Sequence, residues 1–324
     1  MADQTRSSES VLLHELIGVA ARRAPERTAL VYGQESVDYG MLEAAVRQAA
    51  SGLLRLGLQR GERVGIYLEK RFETVITSFG AAAAGCVFVP LNPLLKPEQV
   101  GFILRDCDVR VLVTSPQRLG TLAQVLRECP ALRHVVVTGD VSTEALPASS
   151  GLQSLSWRQL LDGPPQDGHR VIDTDMVSIL YTSGSTGKPK GVVLSHRNMV
   201  AGAKSVAGYL GNHADDTLLA ALPLSFDAGF SQLTTAFHAG ARVVPLNYLM
   251  PRAVLKAMER ERVTGITAVP PLYIQLTQLE WPKSIDTHLR YFANTGGRMP
   301  RETLGLLRQR MPSAKPFMMY GLTE

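Results

Sequence analysis

Apolar residues recur along this chain in two rhythms: short continuous runs, and steps of three and four. The first rhythm predicts strands and the second predicts helices. Ala29–Tyr32 and Ser36–Tyr39 flank Gly33-Gln34 and predict a hairpin. Leu42, Ala45, Ala49, Leu53 and Leu56 predict a helix from Gly40 to about Leu56, stopped by Gly57. Strands are predicted at Val64–Tyr67 and Val87–Val89, with a helix between them over Phe72–Ala84. Pro97 opens the next helix at its first position, where no amide hydrogen is needed. Strands at Arg110–Thr114 and His134–Thr138 enclose a helix at Leu119–Cys129. The second half repeats the alternation, with strands at Val177–Tyr181, Val192–Leu194, Leu218–Ala221, Arg242–Pro245, Gly265–Ala268, Tyr291–Ala293 and Phe317–Tyr320. Helices are predicted there at about 196–209, 229–239, 251–261, 271–279 and 300–311.

Strands alternating with helices imply an α/β fold with two doubly wound, mostly parallel sheets covered by helices. Gly139–Arg170 breaks the rhythm, being rich in Ser, Gly, Pro and Asp around one short amphipathic helix at Trp157–Leu161. The reading is a first α/β subdomain over 1–150, a connecting segment over 151–175 and a second subdomain over 176–324. Ligands of such sheets bind where strand carboxyl ends open. That singles out the loops after Tyr181, Ala221, Ala268, Ala293 and Tyr320.

Composition narrows the function classes. The 324 residues are 45% hydrophobic and 19% charged, as in ordinary globular proteins. The net charge of +5 is scattered, with no run of five or six like charges, so a nucleic-acid partner is not expected. Cys86, Cys107 and Cys129 lack C-x-x-C spacing and no H-x-x-x-H pair occurs, so reduced thiols and no zinc site are expected. The polar start MADQTRSSES is no secretory signal, and a cytoplasmic location is expected. Thr74–Leu95 is uncharged, but Pro90 and Pro93 would break a spanning helix, so no membrane span is expected.

The candidate chemistry centres on Thr182–Lys190, TSGSTGKPK, between two apolar runs. Hydroxyls, close-approaching glycine backbone and lysine charge are what a polyphosphate needs. The common nucleotide P-loop is excluded, because Pro189 follows Lys188 and Thr182 stands where its first glycine belongs. No G-x-G-x-x-G opens a helix, so a Rossmann dinucleotide site is excluded as well.

TSGSTGKPKG (Thr182–Gly191) resembles the phosphate-binding signature of the adenylate-forming superfamily, which includes acyl-CoA synthetases, peptide-synthetase adenylation domains and luciferases. Gly61–Pro93, LPLSFDAGF (Leu222–Phe230), NTGGRMP (Asn294–Pro300) and YGLTE (Tyr320–Glu324) resemble its other segments in the same order. The wording of YLEKR and VPLNPLLKPEQVGFILRDC is similar to bacterial acyl-CoA ligases associated with exosortase systems.

The resemblance implies ATP-dependent activation of a small-molecule carboxylic acid to an acyl-adenylate, an AMP-forming acid–thiol ligation with coenzyme A or a carrier protein as acceptor. ATP and Mg²⁺ are the implied cofactors. Thr182, Ser183, Gly184, Ser185, Thr186, Gly187, Lys188 and Lys190 are the implied phosphate site, Lys190 being the phosphate-side lysine and Lys188 an auxiliary. Gly296, Gly297, Tyr320, Gly321 and Thr323 are the implied adenylate site, with Tyr320 against adenine and Thr323 on the α-phosphate. Arg298 stands beside them where the family more often has a small residue. Glu324 is the implied magnesium ligand, and Lys190, Thr182, Thr323 and Glu324 form the implied catalytic set.

Phe226 and Asp227 mark the implied substrate pocket. Fatty and aryl ligases often carry histidine at the Phe226 position, whereas amino-acid-activating domains often carry Phe-Asp. Asp227 is therefore either a partner for a substrate amine or a cap of the helix expected near Gly229. The alternatives to an acyl-CoA ligase are an amino-acid adenylation domain and a non-catalytic nucleotide-binding fragment. The sequence ends at Glu324, before the family's ribose aspartate and C-terminal lysine, so the isolated chain is expected not to turn over.

Overall fold

The computed structural model describes residues 9–139, 151–182 and 189–323. In chain order its strands are β1 (Thr28–Tyr32), β2 (Glu35–Asp38), β3 (Arg63–Tyr67), β4 (Val87–Pro90), β5 (Val109–Thr114), β6 (His134–Val137) and β7 (Gln153–Ser156). They continue as β8 (Met176–Thr182), β9 (Lys190–Ser195), β10 (Thr217–Ala220), β11 (Arg242–Pro245), β12 (Gly265–Ala268), β13 (Tyr291–Asn294) and β14 (Lys315–Met318). Helices connect them where the three-and-four rhythm predicts, Tyr39–Arg55 and Phe72–Ala84 among them.

The strands form two seven-stranded sheets, ordered β7-β6-β5-β3-β4-β8-β9 and β14-β13-β12-β10-β11-β1-β2. Each is parallel except for one antiparallel pair at an edge, β8–β9 in the first and β1–β2 in the second. Central strands buried on both faces need continuous apolar runs, and β3, β4 and β5 supply them. In the first sheet Val87, Val89, Val111, Leu112 and Val135 are fully buried. Val254, Met258, Tyr273, Phe292 and Leu307 are buried in the second unit's own core. Each such side chain contributes about 1.5–3 kcal/mol relative to exposure.

The chain divides into two compact units, but not at the boundary read from sequence. The first holds the residues up to Val19 with Gly40–Val200, and the second holds Ala20–Tyr39 with Ala201–Glu324. Strand pairing is the reason. β1 lies parallel to β11, Leu30 opposite Val243, which takes the N-terminal hairpin into the second sheet. β8 lies parallel to β4, Phe88 opposite Ser178, which takes the phosphate-loop hairpin into the first. The segment 151–175 is likewise no neutral connection, since β7 pairs with β6 and extends the first sheet.

Three of the described elements are missing from the sequence reading: the helix Glu15–Arg23, although Leu13, Leu16, Ile17, Ala20 and Ala21 keep the three-and-four rhythm, strand β7, and the 3-10 turn Lys283–Thr287. The last strand also sits earlier than predicted, at Lys315–Met318 rather than Phe317–Tyr320. Its ladder with β13 closes when the Met319 N–H donates to the Asn294 carbonyl at 2.8 Å, and Tyr320 lies beyond it.

Candidate functional site

In the first unit the phosphate motif straddles the β8–β9 hairpin. Thr182 closes β8, Lys190 opens β9, and the two are cross-strand partners in the antiparallel register. Residues 183–189 connect them. Of these, Ser183, Gly184, Ser185, Thr186, Gly187 and Lys188 lie outside the described residues. Thr182 is half-buried and Lys190 exposed at the rim of an edge strand.

The next rung shows what one motif glycine does. Gly191 stands opposite Tyr181, and a Cβ there would lie 2.7 Å from Ile179 Cγ2 and 3.2 Å from the Tyr181 ring. Those neighbours are held: Ile179 is β-branched and 8% exposed, and the Tyr181 hydroxyl donates to Asp106 Oδ2 at 2.6 Å. Burial and that acceptor raise the Tyr181 phenol far above its ordinary range, so it stays protonated. The glycine is needed for close packing within the hairpin, which fixes the spacing of Thr182 and Lys190.

In the second unit the remaining candidates sit at strand carboxyl ends. Leu222–Phe230 leaves β10 and enters the helix Asp227–Ala239. Phe226 is the helix N-cap residue by backbone conformation and Asp227 is the first helical residue, without a side-chain capping bond. The capping role weighed from sequence is therefore absent. The helix starts at Asp227 rather than Gly229, so this carboxylate lies inside the first turn, where it faces the positive end of the helix dipole. Its side chain makes no hydrogen bond or ion pair among the described residues. Desolvation raises its carboxyl above the usual range, and no partner pulls it back.

Asn294 ends β13, is 2% exposed, and donates from Nδ2 to the Gly297 carbonyl at 2.7 Å. This clamp closes the turn that holds Gly296-Gly297. Gly296 has φ +71°, a left-handed conformation in which glycine carries no Cβ penalty. A Cβ on Gly297 would lie 3.3 Å from Pro270 Cγ. Asn294 Oδ1 is buried and has no partner among the described residues. Met299 anchors the turn in the core, while Arg298 is exposed. Tyr320 is 97% exposed, Gly321 is exposed and Thr323 is half-buried.

The sequence reading placed the phosphate segment and the other candidates together in one subdomain over 176–324, whereas the structure puts Thr182 and Lys190 in the first unit and Phe226, Asp227, Gly296, Gly297, Arg298, Tyr320, Gly321 and Thr323 in the second. Glu324, the implied metal ligand, lies outside the described residues. Among the described residues there is no cluster of three or more His, Cys, Asp or Glu able to hold a metal, and no helix long and apolar enough to cross a membrane. Sequence reasoning missed Asn294 as a clamp and Gln232 as a buried bridge. The signal for Gln232 was a single amide among Phe230, Leu233, Ala236 and Phe237 on an apolar helix face.

Residues 18–324 match the family described as AMP-binding enzyme. The chain is 31% identical to 4-coumarate–CoA ligase 2 of Oryza sativa subsp. japonica over 333 residues, 96% of this chain and 57% of that protein. Its fold matches the anthranilate CoA ligase AuaEII in complex with anthranoyl-AMP at a TM-score of 0.88, with 24% identity, over 97% of this chain and 60% of that one. It also matches VinN in complex with L-aspartate, at a TM-score of 0.79 and 27% identity, over 97% of this chain and 76% of that one. The chain spans less than two thirds of the length of the curated relatives it matches. With nearly every residue inside the match, this chain belongs to the AMP-binding enzyme family.

Proposed function

We propose that this chain binds ATP and a carboxylic acid for formation of an acyl-adenylate, the first step of an AMP-forming acyl-CoA ligation. A carboxylate oxygen attacks the α-phosphorus of ATP and pyrophosphate leaves. The thiol of coenzyme A then attacks the acyl carbon of the mixed anhydride, and AMP leaves. Such a transfer rests mostly on positioning and on neutralising charge.

The observation that carries the reading is the Thr182–Lys190 rung, which sets a hydroxyl and an ammonium without an ion pair among the described residues at the two feet of the phosphate segment. In this reading Ser183, Ser185 and Thr186 donate to phosphate oxygens, Gly184 and Gly187 let the backbone approach them, and Lys188 assists. Tyr320 offers a free aromatic face to adenine, Gly296, Gly297 and Gly321 border the adenylate, Thr323 reaches the α-phosphate, and Arg298 adds a cation beside it. Glu324 with the substrate phosphates would hold Mg²⁺, which shields phosphate charge. Phe226 and Asp227 border the acid.

The carboxylate of Asp227, which has no partner among the described residues, favours a second reading, in which it pairs with the ammonium of an amino acid. We favour the simple acid, because desolvation already disfavours the charged carboxylate. Titration calorimetry with ATP–Mg²⁺ and an assay of acid-dependent AMP release test the proposal. Absence of ATP binding defeats it. A panel of fatty, aryl and amino acids decides between the two substrates.

A further inference from the structure

Gln232 lies on the buried face of the helix Asp227–Ala239 and is 6% exposed. A primary amide is costly there unless its donors and acceptor are matched. They are. Nε2 donates to the Leu219 carbonyl at 3.2 Å and to the Thr267 carbonyl at 2.9 Å, while Oε1 accepts the Leu222 N–H at 3.4 Å.

Those backbone groups mark the place where two strands part. β10 pairs with β11 over its whole length, Thr217–Ala220, and β12 pairs with β13 over Gly265–Ala268. Between β10 and β12 the register holds only at Leu218–Gly265 and Leu219–Ile266. Beyond Leu219 the two strands separate at their carboxyl ends. The Leu219 carbonyl, on the last rung, also accepts the Ala221 N–H at 3.2 Å, whereas Thr267 lies past that rung. The Gln232 amide bridges the two strands where they part, bonding one carbonyl on each and the start of the segment that leaves β10. That segment, 222–226, also carries Ser225, whose hydroxyl is buried without a partner among the described residues, as a ligand-facing group would be.

We propose that Gln232 is a positioning residue for the acid pocket. It holds the gap between β10 and β12 at a fixed width, and so sets where the chain begins its path to Phe226 and Asp227. The inference rests on the acid-activation reading. Two substitutions separate its parts. Gln232→Met keeps the volume and removes all three bonds. Gln232→Glu keeps the acceptor, and can donate only while its carboxyl is protonated.

The experiment is calorimetry on the chain with AMP and with benzoyl-, octanoyl- and alanyl-sulfamoyl adenosine, which are non-hydrolysable adenylates. The expected result is that Gln232→Met weakens the tightest-binding acyl sulfamate at least about tenfold and leaves AMP within about twofold. Relative to the wild-type chain at the same pH, Gln232→Glu should lose less affinity for that compound at pH 5.5 than at pH 8, with the variant-to-wild-type ratio for AMP unmoved. An equal loss for AMP and the acyl sulfamate, or no loss, overturns the positioning role, because a merely structural amide would not tell the two ligands apart. If Gln232→Met does not fold, the pH comparison on Gln232→Glu carries the same decision. A wild-type chain that binds neither AMP nor any acyl sulfamate overturns the acid-activation reading instead, and is recognised before any variant is made.

Discussion

Gly191→Ala is the sharpest perturbation of the phosphate hairpin, because the structure says what the new methyl meets. It would sit 2.7 Å from Ile179 Cγ2, inside van der Waals contact, and 3.2 Å from the Tyr181 ring. Neither neighbour yields cheaply. Ile179 has a stiff χ1, and Tyr181 is tied to Asp106. Overpacking of this kind costs about 1–3 kcal/mol. For a unit of this size each kcal/mol lowers the melting temperature by about 2–4 °C, so a loss of about 2–12 °C is expected. Relief of the clash is diagnostic. Ile179→Ala alone should cost about 2–4 kcal/mol through the cavity it leaves. The double variant should be more stable than the sum of the two losses by about 1 kcal/mol or more, since the added methyl fills vacated space. Because the Gly191–Tyr181 rung adjoins Thr182–Lys190, the single variant should also weaken ATP–Mg²⁺ binding, read by calorimetry. An unchanged melting temperature, or strict additivity of the two substitutions, would refute the packing argument and return Gly191 to a ligand-contact role.

The remaining predictions use the same chain. Lys190→Ala should leave the melting temperature unchanged, since the side chain is exposed. It should weaken ATP–Mg²⁺ by about 1.5–3 kcal/mol, the worth of a charge-assisted bond, and spare AMP; equal losses for both nucleotides would rule out a pyrophosphate-side lysine. Asp227→Ala should change stability by less than about 0.5 kcal/mol, because no capping bond is lost, and should abolish binding of alanyl-sulfamoyl adenosine only if the amine reading holds. His196 is 1% exposed, and its Nδ1 accepts the Leu13 N–H at 3.0 Å. Burial, then the neighbouring His14, lower its pKa to about 4, against the opposing pull of Asp175, Glu15 and Asp173. The unfolded chain thus takes up a proton near pH 6.5 that the folded chain refuses until about pH 4, so stability falls as pH drops through that window. The loss is on the order of 3 kcal/mol. His196→Asn, which keeps an acceptor but cannot titrate, should flatten that slope in urea unfolding between pH 7 and pH 4.5, and an unaltered slope would contradict the assignment.

Most of the fold is legible in the sequence because β-branched runs and three-and-four apolar spacing report burial directly. Val87–Val89 and Arg110–Thr114 read as strands from their apolar runs, and both lie inside the first sheet. What the rhythm cannot report is which sheet an edge strand joins. β1 and β8 carry ordinary apolar patterns, and only long-range pairing with β11 and β4 assigns them, which is why the subdomain boundary read from composition fails. β7 was invisible for a related reason, since QSLS is half-polar and gains its place from its neighbour β6. The candidate site was legible as motifs, while the side chains that brace it were not. Asn294 and Gln232 act through backbone carbonyls whose positions exist only once the strands have paired.

The structure also sorts the motif residues by what folding already explains. Gly191 is required by a close approach and Gly296 by a left-handed backbone, so both would be selected in a protein that bound nothing. Lys190, Asp227, Arg298 and Tyr320 differ. All four are exposed, and their side chains make no hydrogen bond or ion pair among the described residues. A 97% exposed tyrosine contributes almost nothing to a core, and an unpartnered carboxylate raised by desolvation is a cost to the fold. Groups that folding leaves unused, placed at the carboxyl ends of parallel strands or at a hairpin mouth, are where binding free energy remains to be gained. The motif therefore divides into glycines that shape the site and charged or aromatic groups that await a ligand. Only the second set should respond to ATP, acid or adenylate without a matching change in stability.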